Sequence, residues 1–261
     1  MIILLLAVIL FVVVGVAFNY IFRTISYSFY KNTKPVDEID DSVKEIWFGD
    51  EGEVSGYVRS TDYSVMKPAI LFFGGSTDIA YNAALTYGPL FEDYVLFTVD
   101  YPGTHKSRGK MNLTSIQYAA VSLYEYARKQ EYVDQDHIQV IGYSYGSGIA
   151  TYAAAKEPCE KVVLVAPYRD VIDLYNQIIP VFHSPLGWFV TDNIDAKQYA
   201  KSVEEKVLIV TSDGDKTMGT KIPKQFANYF ADVAVKEYSG IEHDKYFEHG
   251  EVVDAIKEFL E

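Results

Sequence analysis

The sequence predicts an α/β fold, a mostly parallel central sheet with helices on both faces, preceded by one apolar helix. Three observations carry that reading. Runs that are apolar or nearly so at 69–73, 95–99, 138–141, 161–166 and 207–210 suit strands covered on both faces, and stretches of helical spacing separate the earlier ones. Gly142-Tyr143-Ser144-Tyr145-Gly146 joins one such strand to a run of small residues that opens a helix. Residues 1–22 carry no charged side chain, and Ile, Leu, Val and Phe dominate them.

At 261 residues and 49% hydrophobic, the chain suits one α/β domain with a single large core and a short appendage. Its net charge of −13 argues against a nucleic-acid partner, because the summed field repels phosphate backbones. Cys159 is the single cysteine, which excludes an internal disulfide, and its place between Pro158 and the strand at 161 suggests a buried structural thiol. The five histidines are scattered, and Gly74-Gly75 lacks the Lys-Ser/Thr continuation of a phosphate-binding loop. Neither a metal nor a cofactor is expected.

Residues 1–22, at about 1.5 Å per residue, span a hydrocarbon core of ~30 Å and predict a transmembrane anchor. A cleaved signal peptide is the competing reading, with Gly15-Val16-Ala17 as its cleavage site. Against it, the segment has no basic start and outlasts the usual apolar region of such peptides. Arg23, Lys31 and Lys34 follow the span and no basic residue precedes it. The positive-inside rule therefore gives a single-pass protein of the cell membrane with its domain on the cytoplasmic side. Residues 23–44, polar and ending in Pro35 and the acidic run 37–41, read as a linker, which leaves 45–261 as the folded domain.

Alternating runs at 45–48 and 53–59 around Gly49-Asp50-Glu51-Gly52 predict a hairpin at the start of that domain. The strand at 69–73 ends in Gly74-Gly75-Ser76-Thr77-Asp78, a modest helix occupies 81–91, and the strand at 95–100 runs into Tyr101-Pro102-Gly103. Ile116, Ala119, Ala120, Leu123, Tyr124 and Ala127 mark the buried stripe of a helix over 114–132. Asp134-Gln135-Asp136-His137 then leads into the strand before Ser144, with His137 as a surface turn residue. After a strand at 161–167 the pattern loosens. Residues 170–179 suit a helix, Pro180 and Pro185 break it, and Phe182, Trp188, Phe189 and Tyr199 crowd large rings into a short insertion. Strands at 207–212 and 233–238 and a helix at 251–260 complete the chain.

The glycines flanking Ser144 are those a strained turn needs, since a Cβ at either place would meet the neighbouring strand or helix. Such a turn lifts Ser144 into a cleft as a nucleophile. The helix beginning beside it aims backbone N–H groups, that of Tyr145 first, at a developing oxyanion. His243, in the loop after the last strand, can take the serine proton, and a carboxylate after the strand at 207–212, Asp213 or Asp215, can orient the imidazole.

With this strand-turn-helix and the order Ser, Asp, His, the chain resembles the α/β-hydrolase superfamily over most of residues 45–261. Within it the resemblance is to small-lid serine hydrolases, the Bem46/ABHD13/ABHD17-like group. The resemblance implies the α/β-hydrolase fold and several assignments. The pattern Val-Leu-Ile-Ile-His-Gly-x-x-Asp, counted from Val207, ends on Asp215 as the acid and leaves Asp213 to satisfy backbone N–H groups of its own turn. Gly74-Gly75-Ser76 falls where the family has His-Gly-x, which implies the Ser76 N–H as the second oxyanion donor and puts Gly74 in place of the usual histidine. Asp100 becomes an anchor for loop 101–109, and 170–203 becomes a small lid over a fairly open site. His105 and His183 are left as contacts in the substrate cleft. The implied activity is a membrane-anchored serine hydrolase that cleaves an ester or thioester of a small-molecule or lipid acyl substrate. Peptidase or amidase action, and a non-catalytic binding protein of the same fold, are the alternatives.

Overall fold

A computed structural model describes residues 1–38 and 40–261, of which 26–32 and 178 by backbone alone. The Lys31 side chain, part of the orientation expectation, and Ile39, inside the acidic run, lie outside the described residues.

Helix α1 (Ile2–Asn32) passes through the apolar segment and continues into the stretch expected to be linker, because no proline interrupts it before Pro35. The rest of that stretch is held to the domain. The Asn82 side chain accepts the Val36 N–H at 3.0 Å and donates to Lys34 O at 3.1 Å, while the Tyr81 hydroxyl donates to Glu38 O at 2.6 Å.

Strands β1 (Val43–Phe48) and β2 (Val54–Arg59) form the expected antiparallel hairpin. There follow β3 (Lys67–Phe73), α2 (Ala80–Tyr87) with a 3-10 turn over Gly88–Phe91, β4 (Val95–Val99), α3 (Leu113–Ala127), β5 (Val133–Tyr143) and α4 (Tyr145–Ala154). The second half comprises β6 (Lys161–Val165), α5 (Val171–Ile178), a 3-10 turn over Pro185–Phe189, α6 (Ala196–Ala200), β7 (Lys206–Ser212), α7 (Lys221–Ala227), β8 (Val233–Tyr238) and α8 (Gly250–Leu260). The strands make one sheet in the order β1-β2-β4-β3-β5-β6-β7-β8, in which β2 pairs antiparallel with β1 and β4 and every other pair is parallel. The central strands are largely apolar because both faces are covered by helices, and Ile70, Leu71, Ile141, Val163 and Ile209 are wholly buried. The edge strand β8 is largely exposed and carries Lys236 and Glu237, and β1 at the other edge carries Lys44 and Glu45, a charge pattern that discourages further pairing.

Three differences from the sequence expectation have local causes. Helix α3 has the predicted buried stripe but stops at Ala127, where that stripe ends, and starts from an Asn112/Ser115 capping box. Strand β5 begins at Val133, so His137 stands in a strand and not a turn; the ladder to β3 shifts register between Lys67 and Ala69, which admits the polar residues 134–137. Helices α6 and α7 are too short to show a periodic stripe.

The second half of α1 lies on the segment between β6 and β7. Phe22 is 5% exposed, with its ring 4.7 Å from Phe182 and 5.4 Å from Tyr175. Arg23 pairs with Asp192 at 2.9 Å, and Asp192 also accepts the Leu113 N–H at 3.2 Å, so one carboxylate joins α1, the insertion and the start of α3.

Candidate active site

Parallel strands end on one edge of the sheet, and the turns leaving β3, β5, β7 and β8 there bring the expected residues together. Ser144, at the β5–α4 turn, has φ 50° and ψ −119°, a left-handed conformation that costs a non-glycine residue free energy. Tight packing enforces it: a Cβ on Gly146 would lie 2.0 Å from Phe73 O, and one on Gly142 2.6 Å from Ser147 Cα. The Ser144 N–H donates to Val165 O at 2.9 Å, so β6 also holds the turn.

Ser144 Oγ lies 2.8 Å from His243 Nε2, and His243 Nδ1 lies 2.8 Å from Asp215 Oδ2. Asp215 is 2% exposed. Burial pushes its carboxyl up, but the hydrogen bond and charge of His243 and the N–H groups of Met218 and Thr217 outweigh burial and hold it below the usual carboxylate range. Its Oδ1 accepts both N–H groups at 2.8 Å, and the Tyr246 hydroxyl donates to Oδ2 at 3.1 Å. An ionised carboxylate can only accept, so Nδ1 carries the imidazole proton and Nε2 is left to accept from the Ser144 hydroxyl. Tyr143 fixes the histidine loop from the other side by donating to His243 O at 2.5 Å. Asp213 points away from this chain of contacts. It accepts the Gly240 N–H at 2.7 Å and the Ser239 hydroxyl at 3.1 Å, and so braces the loop that carries His243 rather than its own turn.

Gly75 lies against the serine, where a Cβ would sit 3.4 Å from Ser144 Cβ. The Ser76 and Tyr145 N–H groups thus belong to the two turns that flank Ser144, at the ends of the neighbouring strands β3 and β5. Sequence reasoning passed over Asp78. Its Oδ2 accepts the Gly75 N–H at 2.7 Å and its own N–H donates to Gly75 O at 3.2 Å, which closes the Gly74-Gly75-Ser76 turn from within. The signal was an Asp three residues after a glycine, the spacing of a self-closed turn.

Burial pushes the Asp78 carboxyl up to about 6, against hydrogen bonds from Gly75 and Tyr87 and the charge of His243. In the unfolded chain it titrates near 3.8, so between those values the folded state holds a proton the unfolded state has released, and stability falls as pH rises. Urea unfolding at a series of pH values should show wild type losing stability relative to Asp78→Asn between about pH 4 and pH 6. Asp100, also raised to about 6 by burial, is common to both proteins and drops out of the difference. Parallel pH curves would rule out the buried ionisation of Asp78.

Asp100 accepts the Ala80 N–H at 2.9 Å, and its backbone O takes the Ser107 hydroxyl at 2.6 Å, so it anchors the loop that follows β4. His183 Nε2 lies 3.2 Å from Asp173, which also takes a two-pronged contact from Arg169 at 2.6 and 2.9 Å; this histidine belongs to the frame of the insertion. Of the insertion's rings, Phe182 packs on Tyr175 and α1, Tyr199 meets Tyr152 at 5.0 Å, and Trp188 is 82% exposed. Burial pushes the half-buried Cys159 thiol far up, which leaves it unreactive. Among the described residues no group of three or more His, Cys, Asp or Glu side chains is arranged to hold a metal ion.

A protein family described as alpha/beta hydrolase fold matches residues 68–189. No curated protein matches the chain. Among solved structures, the Pyrococcus furiosus esterase PF2001 superposes with TM-score 0.70 at 16% identity, over 88% of this chain and 96% of that one. Est1E from Butyrivibrio proteoclasticus gives 0.64 at 15% identity over 83% and 97%, and an acetyl xylan esterase from Paenibacillus sp. R4 gives 0.66 at 15% over 92% and 92%.

Proposed function

The chain has the α/β-hydrolase fold, and on that premise we propose that it is a membrane-anchored serine hydrolase of the small-lid kind, cleaving an ester or thioester through an acyl-enzyme. What carries the reading is the run of contacts from Asp215 through His243 to Ser144, two hydrogen-bond distances of 2.8 Å ending on a serine in a strained turn. Ser144 attacks the acyl carbonyl as His243 Nε2 takes its proton; Asp215 keeps the imidazole in the accepting tautomer and stabilises the imidazolium. The Ser76 and Tyr145 N–H groups hold the oxyanion. His243 then protonates the leaving alcohol or thiol, and water activated by the same nitrogen releases the acid. Esterase names among the structural neighbours favour ester over amide chemistry.

α1 serves as the anchor. Its apolar stretch Ile2–Ile25 is 24 residues long, enough to cross a membrane by length and composition. Arg23 near its end and Lys31 and Lys34 after it favour a cytoplasmic domain.

The acyl-enzyme can be trapped by a competing alcohol. With a p-nitrophenyl ester and added methanol, the full chain should release p-nitrophenolate and divide the acyl group between free acid and methyl ester. Turnover that gives no methyl ester would contradict the covalent intermediate, and faster cleavage of the matched anilide would put amidase chemistry in place of esterase chemistry.

A further inference from the structure

α1 does not stand clear of the domain as a separate span would. Residues 2–10 are exposed, but from Phe11 onward one face of the helix is occupied by the insertion. The Phe189 ring meets Phe11 edge-on at 5.4 Å and lies over Gly15, where a Cβ would be 2.2 Å from it. Asn19, a polar residue within the apolar stretch, is paired through both ends of its amide: Nδ2 donates to Thr191 Oγ1 at 3.0 Å and Oδ1 accepts the Thr191 N–H at 3.1 Å. Surrounded by acyl chains alone, that amide would be left without hydrogen-bond partners. The helix is thus complementary to the insertion in shape and in hydrogen bonding.

The 3-10 turn Pro185–Phe189 sits beside Phe11, where the contacts between α1 and the insertion begin, and the exposed apolar residues 2–10 lie beyond it. Trp188, 82% exposed, is on that turn, and tryptophan favours the boundary between headgroups and acyl chains. The insertion follows β6, whose Val165 O accepts the Ser144 N–H, and just before it the Tyr168 hydroxyl donates to Tyr145 O at 2.9 Å, so the chain leaving the nucleophile's turn leads directly into the segment that holds α1.

We propose that α1 and the 170–203 lid enter the membrane as one unit, with the Trp188 turn at the headgroup–acyl boundary, so that Ser144 is supplied with acyl lipids from the membrane surface. This rests on the reading that α1 enters a membrane.

The test uses the full chain carrying Trp47→Phe, which leaves Trp188 as the one tryptophan of two, in phosphatidylcholine vesicles with brominated acyl chains. Trp188 emission should be quenched about two-fold or more by bromines near the headgroups and be shielded from acrylamide. Adding Gly15→Leu keeps the helix apolar but leaves no room for Phe189; flotation should persist while lipid quenching is lost. A chain that floats with Trp188 unquenched and open to acrylamide overturns the proposal and leaves α1 a separate anchor, as does quenching unaffected by Gly15→Leu. A chain that does not float overturns the anchor reading as well. Turnover of a soluble p-nitrophenyl ester in the same samples reports the Ser144 site independently of all three outcomes.

Discussion

Ser144→Ala is expected to lower kcat for ester hydrolysis by roughly five to six orders of magnitude, to the residue of rate left by substrate binding and the oxyanion donors. The substitution removes one oxygen from a residue 8% exposed, and the turn's left-handed backbone is fixed by neighbours that alanine does not disturb, Phe73 O against Gly146 and Val165 O on the N–H. Thermal unfolding should therefore be nearly unchanged. A loss of activity with an unchanged melting temperature assigns the effect to chemistry. Turnover retained in Ser144→Ala would mean that another group performs the attack and that the distance to His243 is incidental.

The second large effect separates two carboxylates two positions apart. Asp215→Asn should lower kcat by about ten-thousand-fold. Its amide can still accept the Met218 and Thr217 N–H groups at Oδ1, but an NH2 facing His243 Nδ1 requires that nitrogen to accept, which moves the proton to Nε2 and takes the base away from Ser144. Asp213→Asn keeps an oxygen for the Gly240 N–H, so the loop stays braced and kcat should change by no more than about three-fold. The reverse pattern, with Asp213 essential and Asp215 dispensable, would overturn the assignment of the acid.

The parts of the molecule that could be read from the chain are those in which one local rule acts alone. Apolar runs covered on both faces mark β3 to β7, and the glycines around Ser144 mark its turn because sterics allow nothing larger at Gly142 and Gly146. His243 and an acid after β7 follow once strand order is assumed, since the ends of parallel strands share an edge, whereas the choice of Asp215 over Asp213 rests on the family pattern counted from Val207. What escaped depends on contacts distant in sequence. Asp78 looks like any loop acid until the turn closes on it and its burial is counted. Asp213 braces a loop that begins some twenty-five residues later, so its own turn gave no sign of it. His137 was read as a turn because Asp134 to His137 are polar, whereas the pairing of Val133 and Ile138 with β3 on either side carries them within β5. Helix α7, Lys-Ile-Pro-Lys-Gln-Phe-Ala, is short and holds a proline, and tertiary packing of Ile222 and Phe226 overrides its weak propensity. Hydropathy alone marks residues 1–22 as a span, but it cannot register that Asn19 and Gly15 are shaped for the insertion.

The most direct test of the central claim is to treat the full-length chain with a fluorophosphonate and locate the adduct by peptide mass spectrometry. A serine made nucleophilic by His243 and faced by oxyanion donors should phosphonylate rapidly, with the adduct on Ser144 alone, and Asp215→Asn should slow the reaction far more than Asp213→Asn does. A folded chain that leaves the probe unreacted, or carries it on any residue other than Ser144, would contradict the account.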